Sequence, residues 1–288
     1  MRVALLTSSA LPSLFGDEQA LPARFAAAGV QAEPVVWSAR DVDWTRYDAL
    51  VLRSTWDYFD RIGEFRAWLD TVERSGVPLY NPPALVRWNL DKRYLAELEG
   101  RGVRIVPTRF FDAGAKVDLA ALVGEAGWSH AIVKPAVSGG AARTHRFAAS
   151  EAHALQGELD DILKTTGALV QPFLDEIARV GEHSLLFFGG EFSHAVLKTP
   201  KAGDFRVQAM HGGTHRALTA PAEMRQAAER VLGALPVAPL YARIDGVERE
   251  GHFELMEVEV IEPYLFFPGS PERAVDQYVA AVRAVARR

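Results

Sequence analysis

Residues 254–263 read ELMEVEVIEP. Glu257, Val258, Glu259 and Val260 alternate. A strand carries its side chains with a period of two, so Glu257 and Glu259 point to one face and Met256, Val258 and Val260 to the other. Three readings of two like charges side by side are open. The glutamates face water; or they mark an edge strand and keep it from pairing with other chains; or they hold a divalent cation. Upstream, YARID (241–245) places Arg243 and Asp245 on one face of a strand that pairs with 254–261 as a hairpin. In that pairing Asp245, Glu257 and Glu259 converge as three hard oxygen donors. Mg²⁺ takes carboxylates together with phosphate oxygens and water. Three facing carboxylates without a cation repel one another and raise their own pKa values.

Outward from this hairpin the chain divides by pattern. Residues 2–7 (RVALLT), 32–37 and 47–52 read as strands, alternating with helical segments at 17–28 and 61–75 that stop at Gly29 and Gly76. PLYNP adds a short strand. Such alternation predicts a parallel sheet covered on both faces. From about residue 85 the pattern changes. LDKRYLAELEGRG reads as a helix, RIVPTRFF and HAIVKPAV as strands, 150–165 as a helix and GALVQPFL as a strand. HSLLFFGGEFSHAVLKTP reads as a hairpin turning at Gly189-Gly190, 221–235 as a helix, and 271–288 as a final helix whose Arg287-Arg288 end suits the C-terminal dipole. No repeat or low-complexity segment interrupts this order. The expected organisation is α/β followed by α+β with antiparallel hairpins.

The 288 residues are 49% hydrophobic and 24% charged, enough apolar material for two or three packed modules. A net charge of −5 argues against a nucleic-acid surface. With no cysteine, disulfides, thiolate catalysis and thiolate-bound zinc are excluded. The N-terminal MRVALLTSS is apolar only over VALL, too short for a signal peptide or membrane span, so a cytoplasmic protein without a membrane partner is expected.

Lys134 ends a strand in AIVKPAVSGGA. Ser138, Gly139 and Gly140 follow it, and glycine lets backbone N–H groups approach an anion while the ammonium adds a point charge. A turn with glycines after a strand is also ordinary architecture, and the spacing is not that of a P-loop. Lys92 in LDKRYL is, by itself, a solvated helical lysine. RSTWDYFD (53–60) lies at the C-terminal end of a parallel strand, where ligands of open sheets bind. There Arg53 suits a bidentate carboxylate clamp, and Ser54, Thr55 and Asp57 suit amine or ureido groups. The alternative is packing aromatics with a salt-bridged Arg53. His211 and His215 have metal-like spacing, but the Gly-Gly between them argues for a loop rather than a zinc site.

In order, the chain carries LDK, VKPAVSGGA, LVQPFLDE, GEHSLLFFGGEFSHAVLKTP, GDFRVQAMHGGTH, RID and EVEVIEP. This series resembles the ATP-grasp superfamily of carboxylate–amine ligases over essentially the whole chain. The resemblance implies an N-terminal open α/β domain (1–90), a central ATP-binding lobe (91–172) and a C-terminal lobe with the metal site (173–288), both lobes having antiparallel sheets. It implies ATP and Mg²⁺, two ions, as cofactors. Lys92 and Lys134 match the phosphate lysines. Gln171, Pro172, Phe173 and Leu174 match the linker that holds adenine. Asp175 or Glu176 matches a ribose ligand, and Glu182 the acid that begins the next strand. Asp245, Glu257 and Glu259 match the metal ligands. Lys198 stands where arginine is frequent and Arg206 matches a later arginine; both are expected to be catalytic.

VLRSTWDY, RWNLDKRYL, VKPAVSG and EVIEPYLFF are most similar to the cyclo-ligase branch that closes O-ureido-D-serine to D-cycloserine, beside RimK-like ligases. The implied reaction transfers the γ-phosphoryl of ATP to a carboxylate, and an amine attacks the acyl phosphate and releases ADP and phosphate. The amine belongs to the same amino-acid-like molecule in a cyclo-ligase, to a second molecule in a RimK- or glutathione-synthetase-type ligase. A non-catalytic ATP-binding regulator is the reading from another class. A homodimer is expected by analogy.

Overall fold

The computed structural model describes residues 1–286, so the Arg287-Arg288 end lies outside the described residues. The first sheet contains β1 (Arg2–Thr7), followed by α1 (Leu21–Ala27), then β2 (Gln31–Val36), β3 (Ala49–Ser54), α2 (Ile62–Ser75) and β4 (Leu79–Tyr80). Its order is β2-β1-β3-β4 and every pair is parallel, as the alternation predicts. β3 is buried along its whole length, which is why ALVL is a continuous apolar run. α2 turns Phe65, Trp68, Leu69 and Val72 inward at helical spacing and ends on Gly76 at φ 72°.

Two short helices follow, α3 (Pro83–Asn89) and α4 (Tyr94–Gly100). The helix expected over LDKRYLAELEGRG is therefore shortened to α4, α3 lying before that stretch. Asp91 accepts the backbone N–H of Arg93 at 3.0 Å, a local bond that competes with helix until Tyr94. Lys92 consequently sits in a turn rather than on a helix, its own N–H donating to the Ala136 carbonyl at 2.8 Å.

The second sheet is antiparallel, in the order β5-β8-β6-β7. It comprises β5 (Arg109–Phe111), α5 (Leu119–Glu125), β6 (His130–Pro135), β7 (His145–Ala148), α6 (Ala152–Leu163) and β8 (Ala168–Pro172), the helices packing on one face. A short α7 (Asp175–Arg179) leads into β9 (Glu182–Phe188), β10 (Glu191–Thr199), β11 (Thr214–Leu218), α8 (Ala222–Gly233), β12 (Tyr241–Arg249), β13 (His252–Glu259) and α9 (Arg273–Val285). The third sheet runs β11-β10-β9-β12-β13. Gly189 and Gly190 turn its first hairpin with φ of 62° and 86°, a two-residue turn that matches strand twist.

β9 shows how this sheet divides its faces. Leu185 and Phe187 point into the core beneath α8 and α4, with Ala242, Ile244, Val258 and Val260. Leu186 and Phe188 point the other way, with Val196 and Tyr241, against the first sheet and α9. Tyr278, Val279 and Val282 of α9 join Val3, Leu5 and Phe25 in that cluster, so the last helix seals the first sheet to the third. Among the described residues no helix is long and apolar enough to cross a membrane.

His194 on β10 ties this face to the loop after β13. Its Nε2 lies 3.0 Å from the Leu265 carbonyl, which only accepts, so Nε2 carries the proton. Nδ1 lies 3.0 Å from the Ser193 hydroxyl. Burial pushes the imidazole down to about 4, although the Leu265 carbonyl opposes this. The unfolded chain therefore binds one more proton between about pH 6.5 and 4. Stability from this site is fully present above pH 6.5 and is lost as pH falls to 4, by about 3 kcal/mol at most. In urea unfolding, His194→Gln is expected to remove that part of the slope, since the amide keeps the bond to Leu265 and does not titrate. A slope equal to the wild type's would exclude it.

Candidate active site

β13 is the edge of the third sheet, and its outer side is covered. Asn89 donates to the Val258 carbonyl at 2.8 Å and accepts the Val260 N–H at 3.2 Å. The Tyr94 hydroxyl receives the Val258 N–H at 2.8 Å, and Val106 N donates to the Leu255 carbonyl at 3.0 Å. An edge so closed leaves no pairing to prevent, which removes the edge-guard reading of the glutamates. The water-facing reading fails too. The side chains of Glu257 and Glu259 are 33% and 27% exposed, and both meet a cation.

The hairpin register sets Asp245 opposite Glu257 and Arg243 opposite Glu259, and it slips between Asp245 and Gly246, a bulge at Met256. On this face the apolar row of Leu186, Val196 and Tyr241 gives way to Glu182, Ser184, Lys198, Arg243, Asp245, Glu257 and Glu259. Asp245 is buried and receives four donors. Arg243 Nε and Nη2 reach it at 3.0 and 2.9 Å, Lys198 Nζ at 3.1 Å and the Ser184 hydroxyl at 2.6 Å. Arg243 also pairs with Glu259, and Lys198 with Glu182. Lys92 Nζ lies 3.3 Å from Glu257 and donates to the Ser138 carbonyl at 2.6 Å, joining the acid strand to the glycine loop.

The expected convergence of three carboxylates thus takes a different form. Among the described residues no three acidic or histidine side chains cluster closely enough to hold a metal ion. Like charges at this spacing need counter-charge, and Arg243, Lys198 and Lys92 stand between them.

The electrostatics follow burial. It opposes ionisation of Asp245, but Arg243 and Lys198 outweigh it and hold the carboxyl well below the usual range. Burial pushes Glu259 up to about 7 against Arg243, with Asp245 and Glu257 adding to the rise. It pushes Glu262 up to about 8, Glu259 again adding. Glu182 is raised by burial despite Lys198. Lys134 is lowered by burial, which Glu257 partly offsets. This face sets the carboxylates of Glu182, Asp245, Glu257 and Glu259 beside Lys92, Lys198 and Arg243, and carboxylate oxygens are the hard donors that Mg²⁺ takes.

Other expected residues fall elsewhere. Arg53 is 1% exposed, pairs with Glu18 and donates to the Pro263 carbonyl at 2.7 Å. Burial opposes its charge, but the Glu18 carboxylate beside it outweighs that and the guanidinium is more basic than usual. Here the guanidinium takes the salt-bridged alternative to the carboxylate clamp, with Nε and Nη1 left without a hydrogen-bond partner among the described residues. Ser54 and Thr55 are wholly buried, Ser54 donating to Glu18 at 3.1 Å. Asp57 accepts from Trp37 Nε1 at 2.7 Å and from Arg61. Arg206 is not brought to the carboxylates; it folds onto Asp204, Nη2 to Oδ2 2.8 Å, in the loop before β11. The structure instead puts Arg243 at the centre. The alternation already placed it beside Asp245, but its contact with Glu259 depends on cross-strand register. Glu262 lies in the opening stretch but outside the Glu257–Val260 alternation, so no period pointed to it.

Pro172, Phe173, Leu174 and Asp175 line a cavity of about 390 Å³ with Glu176, Ala178, Arg179 and Arg249. Gln171, directly before them, is buried and donates to the Thr108 hydroxyl at 2.8 Å. Phe173 has Arg146 stacked over its ring at 4.1 Å. His215 lies on β11, opposite Lys198, rather than in a loop. Every residue of that strand but Leu218 is exposed, and without apolar alternation THRAL carries no strand signal.

A family model described as the D-cycloserine synthetase DcsG N-terminal domain matches residues 3–81. The cycloserine biosynthesis protein DcsG of Streptomyces lavendulae is 31% identical over 261 residues, 86% of each chain. The crystal structure of D-cycloserine synthetase DcsG superposes with a TM-score of 0.89 at 28% identity, over 99% of this chain and 100% of that one. A RimK domain ATP-grasp protein from Sphaerobacter thermophilus gives 0.71 at 18% identity over 98% of both. The ATP-grasp ligase PsnB, in a complex with minimal precursor, Mg and ADP, gives 0.65 at 15% over 99% and 98%. At the last two identities the likeness establishes the fold.

Proposed function

Because the chain belongs to the family of the cycloserine biosynthesis protein DcsG, with the ATP-grasp fold, we propose that it is an ATP-dependent carboxylate–amine ligase of the cyclo-ligase type, acting through an acyl phosphate. The observation that carries this reading is the meeting of Lys92 and Lys198 with Glu257 and Asp245 on one face of the third sheet, beside the glycine loop. A carboxylate expels oxide only at prohibitive cost. A phosphoryl group taken from ATP makes it a leaving group.

In this reading Lys92, Lys134 and Lys198 neutralise the triphosphate as charge moves along it. Ser138, Gly139 and Gly140 offer backbone N–H groups to the phosphates. Gln171 to Leu174 hold the base, with Asp175 at the ribose, and Glu182 keeps Lys198 in place. Asp245, Glu257 and Glu259 hold magnesium, two ions, which when bound supplies Lewis-acid neutralisation of the phosphates. Arg243, fixed by Asp245 and Glu259, stabilises the oxyanion formed when the amine attacks, and Arg206 on its exposed loop has at most an outer role. A single substrate carrying both acid and amine meets itself, so proximity replaces a second amino-acid site. The substrate is a small amino-acid derivative and the enzyme a cytoplasmic homodimer.

Titration calorimetry with ATP tests the core of this. Removing Mg²⁺ is expected to weaken binding by roughly a hundredfold. Phosphate release across a panel of amino-acid derivatives then identifies the substrate, and product mass separates ring closure from joining of two molecules. ATP binding indifferent to magnesium would sink the reading.

A further inference from the structure

We propose that Phe59 is a positioning residue that seats the glycine loop, residues 138–143, against the N-terminal domain. Gly139 presents bare backbone to its ring: a Cβ built there would lie 2.4 Å from Cε1 and 2.6 Å from Cδ1 of Phe59. A Cβ at that spacing would push the Phe59 ring aside, so glycine here lets the ring lie directly on the loop backbone. Phe59 is itself held from behind. It packs edge-on against Tyr58, with ring centroids 5.6 Å apart, and Tyr58 is buried beside Glu262. Trp56 Nε1 donates to the Glu262 carbonyl at 3.0 Å. The segment 56–59 therefore spans from the end of the acid strand to the phosphate loop.

The loop is tied at its two ends, Lys92 Nζ donating to the Ser138 carbonyl at 2.6 Å and Arg143 Nε to Glu158 at 2.8 Å. Its internal bonds run from Ala142 N to the Gly139 carbonyl at 3.0 Å and from Thr144 N to the Ala141 carbonyl at 3.2 Å. Ala141 and Arg143 take left-handed φ of 61° and 52°, unfavourable for residues with a Cβ. On the far side, His211 Nε2 is 3.3 Å from the Gly140 carbonyl, and the Met210 sulfur stands 3.4 Å from where a Gly140 Cβ would be. Met210 is 76% exposed, so this side is open to water. A strained backbone between two such ties opens more readily unless a neighbour also holds its middle. Phe59 is the apolar neighbour that reaches it from the first sheet's side, opposite the exposed Met210. The loop's position over the nucleotide is thereby linked to the segment ending at Glu262. That consequence rests on the ligase reading; the seating does not.

A double-mutant cycle read by trypsin tests it. Arg143 in the loop is 44% exposed and cleavable. Phe59→Ala and Gly139→Ala are each expected to speed cleavage after Arg143 by about fivefold, the size of one aromatic contact. The pair should be no faster than either alone, because the added methyl enters the space the ring leaves. Cleavage after Arg230 in α8 should not change. In turnover, Phe59→Ala should raise KM for ATP with kcat altered less, and Phe59→Leu should restore most of the effect. Cleavage unchanged in Phe59→Ala, effects that multiply in the pair, or an equal rise at Arg230 would each overturn the seating. Faster cleavage with an unchanged KM for ATP would overturn its link to the nucleotide. If the wild type shows no ATP turnover, the ligase reading fails while the cleavage cycle still decides the seating.

Discussion

Asp245→Asn is expected to lower kcat by about a thousandfold, or about 4 kcal/mol of transition-state stabilisation. Three features set this size. Asp245 is the buried carboxylate that touches both Arg243 and Lys198. Those two cations outweigh its burial and hold its carboxyl well below the usual carboxylate range. It also faces Glu257 across the hairpin, so magnesium held by Asp245, Glu257 and Glu259 would lose one of its three anionic donors with the change. The isosteric amide keeps the Ser184 bond, Arg243 keeps Glu259 and Lys198 keeps Glu182. Stability should therefore fall by only about 1–3 kcal/mol, a smaller loss than in catalysis. Steady-state kinetics at rising Mg²⁺ beside a thermal melt make the test, with the half-saturating Mg²⁺ concentration expected to climb. Activity within tenfold of wild type at ordinary magnesium would remove Asp245 from the metal site and the proposal with it.

What was legible in the sequence was whatever a short-range period controls. The Glu257–Val260 alternation placed acids on one face because pleat geometry allows nothing else, and Gly189-Gly190 marked a turn because both positions need positive φ. The stop at Gly76 follows from the same cause. Side-chain partners distant in sequence were not legible. Glu18, which decides the fate of Arg53, lies 35 residues away in a 3₁₀ turn with no periodic signature. The carboxyl-end rule for open sheets placed Arg53 at the right edge and could not say which way it turned. Lys92 was read on a helix because the local bond between Asp91 and Arg93 N competes invisibly with a good helical pattern. The central position of Arg243 depends on its register with Glu259 and on the bulge at Met256, both properties of a pair of strands. In each case the residue type was noticed and the environment that assigns its task came from elsewhere in the chain.

Arg53→Met is expected to cost about 3–5 kcal/mol of stability, which separates a structural cation from a substrate clamp. The guanidinium is enclosed by the rings of Tyr241 and Tyr278 at 5.4 and 5.6 Å, and it bridges Glu18 to the Pro263 carbonyl. Removing it strands Glu18, itself 1% exposed, as a buried carboxylate whose remaining side-chain donor is the Ser54 hydroxyl. Most of the loss is the penalty of that uncompensated charge rather than the worth of the pair. Adding Glu18→Gln should therefore recover a large part of it, since a neutral amide no longer needs a cation. Urea midpoints of the wild type, the single variant and the double variant measure this directly. At low temperature, where the single variant is still folded, KM for the amino-acid substrate should stay within about threefold of wild type. The opposite pattern, an unchanged midpoint with KM raised a hundredfold, would mean that Arg53 turns outward to the substrate's carboxylate in solution, and the buried pair with Glu18 would not be its working state.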